Sequence, residues 1–485
     1  MKQLLNILLN KHMHFTANTL IKKTYIKYNN SYNNIMMKKI GKLSLVSTMF
    51  SVLILSSFIH SANAQNLPKI NLSKFKNIDI YHVETSSIPA ISVSWIFKRL
   101  YTLDNPCIGE MAVGLVGKQI ANYTEEETNN NLTDIGAEFS ISDNKDYIQA
   151  NLRTLNSDRD VAIKWFSQAI YSSVFNEDIF NREKARIYQA LQEQEKEPSY
   201  IASTNLISAT YKNHAYAQSC KSNDIKKVTL EQIKDYYNQQ FNSKKSNKIL
   251  IVGNIKTNEI NNLLDKNIAD KYFSNQDSKS NVSNIVKTSY AEAFSINKDI
   301  KVTNNNYDMD ITQSQIRMGM PFIKRDNPDI FNLLVGNYIL GSGGFNSRLM
   351  EALREKHGFV YGISSNFMPW EQSGLFMIDL QTKISQNQPA IKLVKTTIDD
   401  FLHNGINQQE LDKAKRFLLQ SFSSRLDTNE KWLSQLSTIA FYNLPLNYLD
   451  TWQQNINNTS IESVNSAMRK YLDTSQLNTS IVTKN

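Results

Sequence analysis

Histidine is the scarcity that matters most. The 485-residue chain contains seven, and beyond residue 64 only His82, His214, His357 and His403, no two within a helical turn of each other. Two imidazoles four residues apart on one helix, a common seat for a hydrolytic zinc, are therefore absent. Cysteine is scarcer still. Cys107 and Cys220 are the only two, which rules out a disulfide-stapled miniprotein and leaves open one bridge across a long loop or two buried thiols. Asp, Glu and Arg are missing altogether from residues 1–64, which carry eight lysines. Without those eight, 46 basic residues stand against 45 acidic ones. The net charge of +9 thus belongs to the leader, and the remainder lacks the electrostatic footprint of a nucleic-acid binder. The length predicts two or three domains, and the aliphatic and aromatic content excludes a wholly disordered chain.

The leader reads as an export signal. Lys38, Lys39 and Lys42 form a charged start, Leu43 to Ile59 is apolar, and Ala62-Asn63-Ala64 is a small-residue cleavage box before Gln65. Residues 37–64 are the expected signal peptide, and 1–36 an upstream extension or a mis-assigned start. Organellar presequences favour Arg, so its absence argues for export. Cleavage leaves 421 residues (485 − 64), expected in a bacterial periplasm or outside the cell. Contact with a membrane is expected only through the signal segment before cleavage.

The mature part repeats itself. Leu115-Val116-Gly117 returns as Leu334-Val335-Gly336, Gly136 before a strand-like run returns as Gly358, Lys184-Ala185-Arg186 as Lys413-Ala414-Lys415, and the N-cap Thr229 as Ser460. Each match is weak, but four in one order, with slowly growing offsets, predict two copies of a unit of roughly 200 residues. Alternating runs such as Asp79 to Val83, Ala90 to Phe97 and Ile249 to Gly253 read as strands, and amphipathic helices lie between them. The expected class is α+β: two homologous domains, 65–274 and 293–485, each a mainly antiparallel sheet with helices packed on one side. Residues 275–292 have the composition of a linker, Ser-, Asn- and Lys-rich from Asn275 to Lys287.

The run from Gly341-Ser342-Gly343-Gly344-Phe345-Asn346-Ser347-Arg348-Leu349 through Leu353-Arg354-Glu355-Lys356-His357-Gly358 to Tyr361 resembles the second-domain motif of the pitrilysin/insulinase (inverzincin) metallopeptidases. His214-Ala215-Tyr216 resembles that family's His-Pro-Tyr loop, with Ala where Pro is usual. The likeness runs over nearly all the mature chain and implies a clamshell half. Active members carry His-x-x-Glu-His on the first helix, whose histidines bind zinc while the Glu serves as base. In this register Ala112, Leu115 and Val116 occupy the motif positions, and the later Glu falls near Gln189 or Ala190. No zinc site can be assembled from these residues. The chain is therefore expected to hold no cofactor, with zinc in a partner.

Arg354 and Tyr361 keep the family's spacing. Gly358 can end the helix in the left-handed conformation, which puts Tyr361 on the following strand, expected to share a face with Phe359 and Ile363. The resemblance implies that this pair contacts substrate backbone and the oxyanion opposite the zinc. The plainer alternative pairs Arg354 with Glu351 or Glu355 and buries Tyr361 in the core. The glycine turn lacks the Gly-Lys-Ser/Thr ending of a P-loop and reads as structural. His357 is expected to favour the helix C-terminus, and His214 to hydrogen-bond within its loop. The expected function is a zinc-free subunit that completes peptide hydrolysis by a homologous His-x-x-Glu-His partner in a heterodimer, inactive by itself. The alternatives are a non-enzymatic scaffold or peptide-binding protein of the same fold and, less favoured, an autonomous peptidase with unusual ligands.

Overall fold

Period-2 alternation builds two sheets. In β3 (Ala90–Lys98) Ile91, Val93, Trp95 and Phe97 share one buried face, while Ser92 and Ser94 lie on the other. The structure is a computed structural model that describes residues 67–86, 88–241, 247–268, 285–291 and 302–484. The expected extension 1–36, the signal segment 37–64 and most of the expected linker lie outside the described residues.

The first sheet contains β1 (Ile70–Phe75), β2 (Ile78–Glu84), β3, β5 (Glu138–Asp143), β6 (Tyr147–Leu155) and β7 (Lys248–Gly253), in the order β1-β2-β7-β3-β6-β5. Only β2 and β7 run parallel. The second contains β9 (Asn304–Asp308), β10 (Gln313–Phe322), β11 (Val360–Met368), β12 (Gly374–Lys383) and β13 (Asn478–Thr483), in the order β11-β12-β10-β13-β9, with only β9 and β13 parallel. Read from the parallel end, β2-β7-β3-β6-β5 and β9-β13-β10-β12-β11 trace the same path. The duplication in the sequence is one strand order built twice.

The described end of the linker is not free. A short strand, β4 (Tyr101–Thr102), pairs with β8 (Thr288–Ser289). Val286 is buried and its N–H donates to Asp235 Oδ2 (2.8 Å), while Lys287 O accepts from Leu103 N–H (2.9 Å). Despite its linker composition this stretch is docked on the first half, through the apolar contacts of Ile285, Val286 and Tyr290.

The first half carries α1 (Cys107–Leu115), α2 (Glu125–Asp134), α3 (Arg159–Tyr171), α4 (Glu177–Gln194), α5 (Pro198–Tyr211), α6 (Leu230–Phe241) and α7 (Thr257–Asn267). The second carries α8 (Ile330–Asn337), α9 (Asn387–Asn404), α10 (Gln408–Gln420), α11 (Asn429–Phe441), α12 (Tyr448–Asn457) and α13 (Ile461–Tyr471). At several of their starts a side chain satisfies an open N–H group. Gln232 N–H donates to Thr229 Oγ1 (3.3 Å) and Ser463 N–H to Ser460 Oγ (3.1 Å), so the two expected caps hold equivalent helices.

In the first half α3, α6 and α7 pack on one face of the sheet through Phe166, Phe241 and Leu264. Its other face takes α11 from the second half, with Trp432, Leu433, Leu436 and Ile439 buried against Tyr81, Val83, Ile96, Leu250 and Val252. The exchange is mutual. Helix α5 lies on β10 and β13, where Leu206 comes so near Gly319 that an added Cβ would sit 3.1 Å from it. Apolar side chains on both faces of each sheet thus join the halves into one unit.

The hairpin turns of the two halves meet at the junction. Asp146, between β5 and β6, accepts from the Tyr216 hydroxyl, the Tyr442 hydroxyl (2.6 Å) and Glu371 N–H (2.9 Å). Burial pushes its carboxyl pKa up, and the three donors act against this.

Candidate functional site

Helix α1 is the place to look for a metal. Ala112, Leu115 and Val116 are 0%, 2% and 3% exposed. Ala112 and Leu115 pack with Ile179, Phe180 and Leu191 of α4, and Val116 joins the core of the first sheet. Gln189 and Ala190 face solvent. Glu183 on α4 is buried and already engaged: Arg186 Nε lies at 2.8 Å, Arg182 at 3.6 Å and Lys118 Nζ at 3.8 Å. Burial raises its pKa, but the Arg186 hydrogen bond and the charges of Lys118, Arg186 and Arg182 outweigh that and hold it below the usual carboxylate range. Among the described residues no three His, Cys, Asp or Glu side chains are grouped to hold a metal ion. The zinc that an inverzincin helix would bind does not fit these hydrocarbon side chains. The helix is anchored instead by a disulfide from Cys107, its first residue, to Cys220, with Cα atoms 4.5 Å apart. Of the two states open for the thiols, the structure has the bridge.

The second half keeps a different arrangement. After α8 the chain makes a π-helical turn (Tyr338–Ser342), then the glycine turn, then a short helix that is α over Arg348–Met350 and π over Glu351–Lys356. Such π segments recur at functional sites. Asn337 and Ser365 of β11 fix the start of the turn: Ser365 Oγ donates to Asn337 Oδ1 (2.7 Å) and Asn337 Nδ2 to Ser365 O (3.1 Å). Gly341 lies against the same serine, where a Cβ would sit 2.3 Å from its Oγ. Arg348 holds the short helix down with a bidentate pair to Glu410 (2.7 and 2.8 Å), and its role is structural.

Arg354 behaves otherwise. Its guanidinium carbon is 5.0 Å from the centre of the Tyr361 ring and 4.8 Å from that of Phe345. It makes no ion pair among the described residues, and Glu351 pairs instead with Lys356 (2.9 Å). Tyr361 is 78% exposed and Phe345 64%. The plainer alternative, an ion-paired Arg354 beside a core tyrosine, is not what the structure contains.

Gly358, at φ 62°, ends the helix as expected, its N–H donating to Arg354 O (3.0 Å). The expected shared face of Phe359, Tyr361 and Ile363 does not form. Val360 pairs with Thr382 and Ile363 with Leu380, so Tyr361 and Gly362 together oppose the single Gln381. This bulge keeps Val360 and Ile363 inward and turns Tyr361 out beside Arg354. His357 Nδ1 lies 2.8 Å from Ala352 O at the helix end. His214 Nδ1 accepts from Tyr216 N–H (3.1 Å) within its loop.

Phe345 and Asp146 did not stand out in the sequence. The signal for Phe345 was an aromatic residue on a turn otherwise made of glycine and polar residues. None marked Asp146, although Tyr216 of the His-Ala-Tyr loop turns out to be one of its donors.

A duplicated α+β unit, an apolar first helix and an exposed Arg–Tyr pair define an insulinase-type half. Residues 115–223 match the insulinase family, peptidase family M16, and residues 227–418 match the peptidase M16 inactive domain; the chain belongs to this family. Among its relatives is the non-peptidase homolog YmxG of Helicobacter pylori, 28% identical over 362 residues, or 71% of this chain and 77% of that protein. An uncharacterized zinc protease YmxG of Bacillus subtilis is 22% identical over 69% of this chain and 78% of its own length. The crystal structure of a peptidase M16 inactive domain from Pseudomonas fluorescens superposes with a TM-score of 0.76 at 26% identity, covering 86% of this chain and 98% of that one. These likenesses support a non-catalytic member of the family.

Proposed function

We propose that this chain is the zinc-free subunit of an exported, two-chain metallopeptidase, and that it lends Arg354 and Tyr361 to peptide held at the zinc of a homologous His-x-x-Glu-His partner. The observation that carries this reading is Arg354 stacked on the exposed Tyr361, which a bulge turns outward, with no carboxylate paired to Arg354 among the described residues. A fork of N–H donors and a phenol presented together suit a carbonyl oxygen or a developing oxyanion. Export is supported by the leader and by the Cys107–Cys220 bridge, since such bonds persist in oxidising compartments.

The test is to reconstitute the chain with a homologous subunit carrying the zinc motif and to measure peptide cleavage. Arg354→Ala is expected to lower kcat/KM by about 10²–10³, and Tyr361→Phe by less, with assembly intact. Unchanged turnover in an intact assembly overturns the proposal. It would favour the second reading, a scaffold or peptide-binding protein, which is supported by the likeness to a protein named a non-peptidase homolog.

A further inference from the structure

The proposed function uses two residues of the second-half motif and leaves its glycine turn without a task. That turn delivers Phe345. Gly344, at φ 60°, bends the chain, and Ser347, buried at 1% exposure, closes the turn by donating from Oγ to Gly344 O (2.7 Å). The outcome is a guanidinium that lies over two rings, those of Tyr361 and Phe345.

We infer that Phe345 is a positioning and specificity residue of the peptide site: it holds Arg354 edge-out toward an extended peptide and favours an apolar side chain beside the carbonyl that Arg354 grips. The inference rests on the proposed function and adds the third residue and the substrate preference. A guanidinium packed over two rings is restricted in its motion, and its N–H donors lie along its edge, where they can still meet an acceptor. An arginine already confined in this way loses less rotamer freedom when a ligand arrives, an advantage of about three- to tenfold in affinity. Because both rings stay largely exposed, an oxygen gripped by Arg354 has aromatic surface beside it. A peptide side chain next to that carbonyl meets ring carbon of Phe345 and Tyr361, while Glu351 is engaged with Lys356. Hydrocarbon of that kind is matched by aliphatic or aromatic side chains.

The experiment uses the full mature chain and two fluorescein-labelled, amidated nonapeptides of Gly, Ser and Thr, identical except for a central Phe or Ser. Binding is read by anisotropy. The wild type is expected to bind the Phe peptide about five- to tenfold more tightly than the Ser peptide. Phe345→Ala should bring that ratio near one and weaken both, and Phe345→Trp should restore it. Arg354→Ala should weaken both peptides while leaving the ratio above one. In a ¹⁵N–¹H spectrum the Arg354 Nε–H resonance, shifted by two rings, should move toward the free-arginine position in Phe345→Ala and return in Phe345→Trp, a readout that a purely structural role would not move.

If Arg354→Ala weakens binding while Phe345→Ala leaves both affinities and their ratio unchanged, this inference falls and the proposed function stands. If neither Arg354→Ala nor Tyr361→Ala affects binding, or the wild type binds neither peptide, both fall.

Discussion

Leu132, Gly136 and Phe139 in the first half stand where Arg354, Gly358 and Tyr361 stand in the second, at a constant offset of 222 (358 − 136). Both glycines are left-handed, at φ 59° and 62°, and both follow a helix and precede a strand at a sheet edge. In the first half the flanking residues pack against the core, Phe139 edge-on to Phe166 at 6.0 Å. In the second they stack on each other in solvent. The difference lies in the register of the strand. β5 runs beside β6 without a shift, with Phe139 opposite Leu152, whereas β11 takes an extra residue at Tyr361-Gly362. One unpaired residue is enough to re-aim a side chain from packing to presentation, because successive residues of a strand face opposite ways.

The comparison has meaning only while the halves stay joined, so the harshest way to break it is at Asp146. Asp146→Ala leaves the Tyr216 and Tyr442 hydroxyls and Glu371 N–H without their acceptor in a buried junction. A loss of about 3–5 kcal/mol is expected, with one urea transition splitting into two. A single transition at the wild-type midpoint would show that the apolar helix exchange alone holds the junction.

Next in size is the disulfide, which only the first half possesses. It closes a loop across a sequence separation of 113 residues. Replacing both cysteines by Ser should cost about 2–4 kcal/mol and raise amide exchange in α1, with little change in β9–β13. Equal loss of protection in both halves would mean that α1 stability is shared across the junction.

The comparison itself is sharpened by paired truncations. Phe139→Ala should cost about 2–3 kcal/mol, as expected for a partly buried aromatic that fills space beside Gly117. Tyr361→Ala, at a position 78% exposed, should stay within about 0.5 kcal/mol. Thermal unfolding of both variants checks this, and similar losses would place Tyr361 among the packing residues.

How far this contrast could be read from the chain follows from the same physics. The duplication was legible because caps, glycines and apolar periodicity are local, and Thr229, Ser460, Gly136 and Gly358 do in the structure what their residue types allow. The loss of the zinc motif from the first helix was legible because Ala112, Leu115 and Val116 have no side-chain atoms that can ligate. The bulge was not, since a period-2 pattern gives no warning of one unpaired residue, and Tyr361 was therefore assigned to the wrong face. Nor was the exchange of α5 and α11, because an amphipathic helix shows that it has an apolar face but not which sheet will cover it. The end of the linker at 285–291 was hidden by its polar neighbours, which outvoted Ile285 and Val286 in any window average.

The smallest effect concerns charge and separates the two hairpin turns. The first-half turn carries Lys145, the second Pro369 and Trp370 in the corresponding place between its strands. Lys145 Nζ donates to Tyr216 O (2.8 Å), and burial, reinforced by the charge of Arg99, lowers its pKa to about 8. In the unfolded chain the group titrates near 10.4. Between those values the unfolded state binds more protons than the folded one, so this lysine makes stability rise with pH. Lys145→Met removes the contribution. The stability gap between variant and wild type should therefore move by about 2 kcal/mol in favour of the wild type from pH 8 to pH 10. The comparison stops at pH 10, because burial and Asp146 hold Tyr216 and Tyr442 protonated in the folded state and produce the opposite slope above it. A gap that stays flat across this range would mean that the ammonium is solvated, and that the two turns differ in sequence but not in the energetics of the junction.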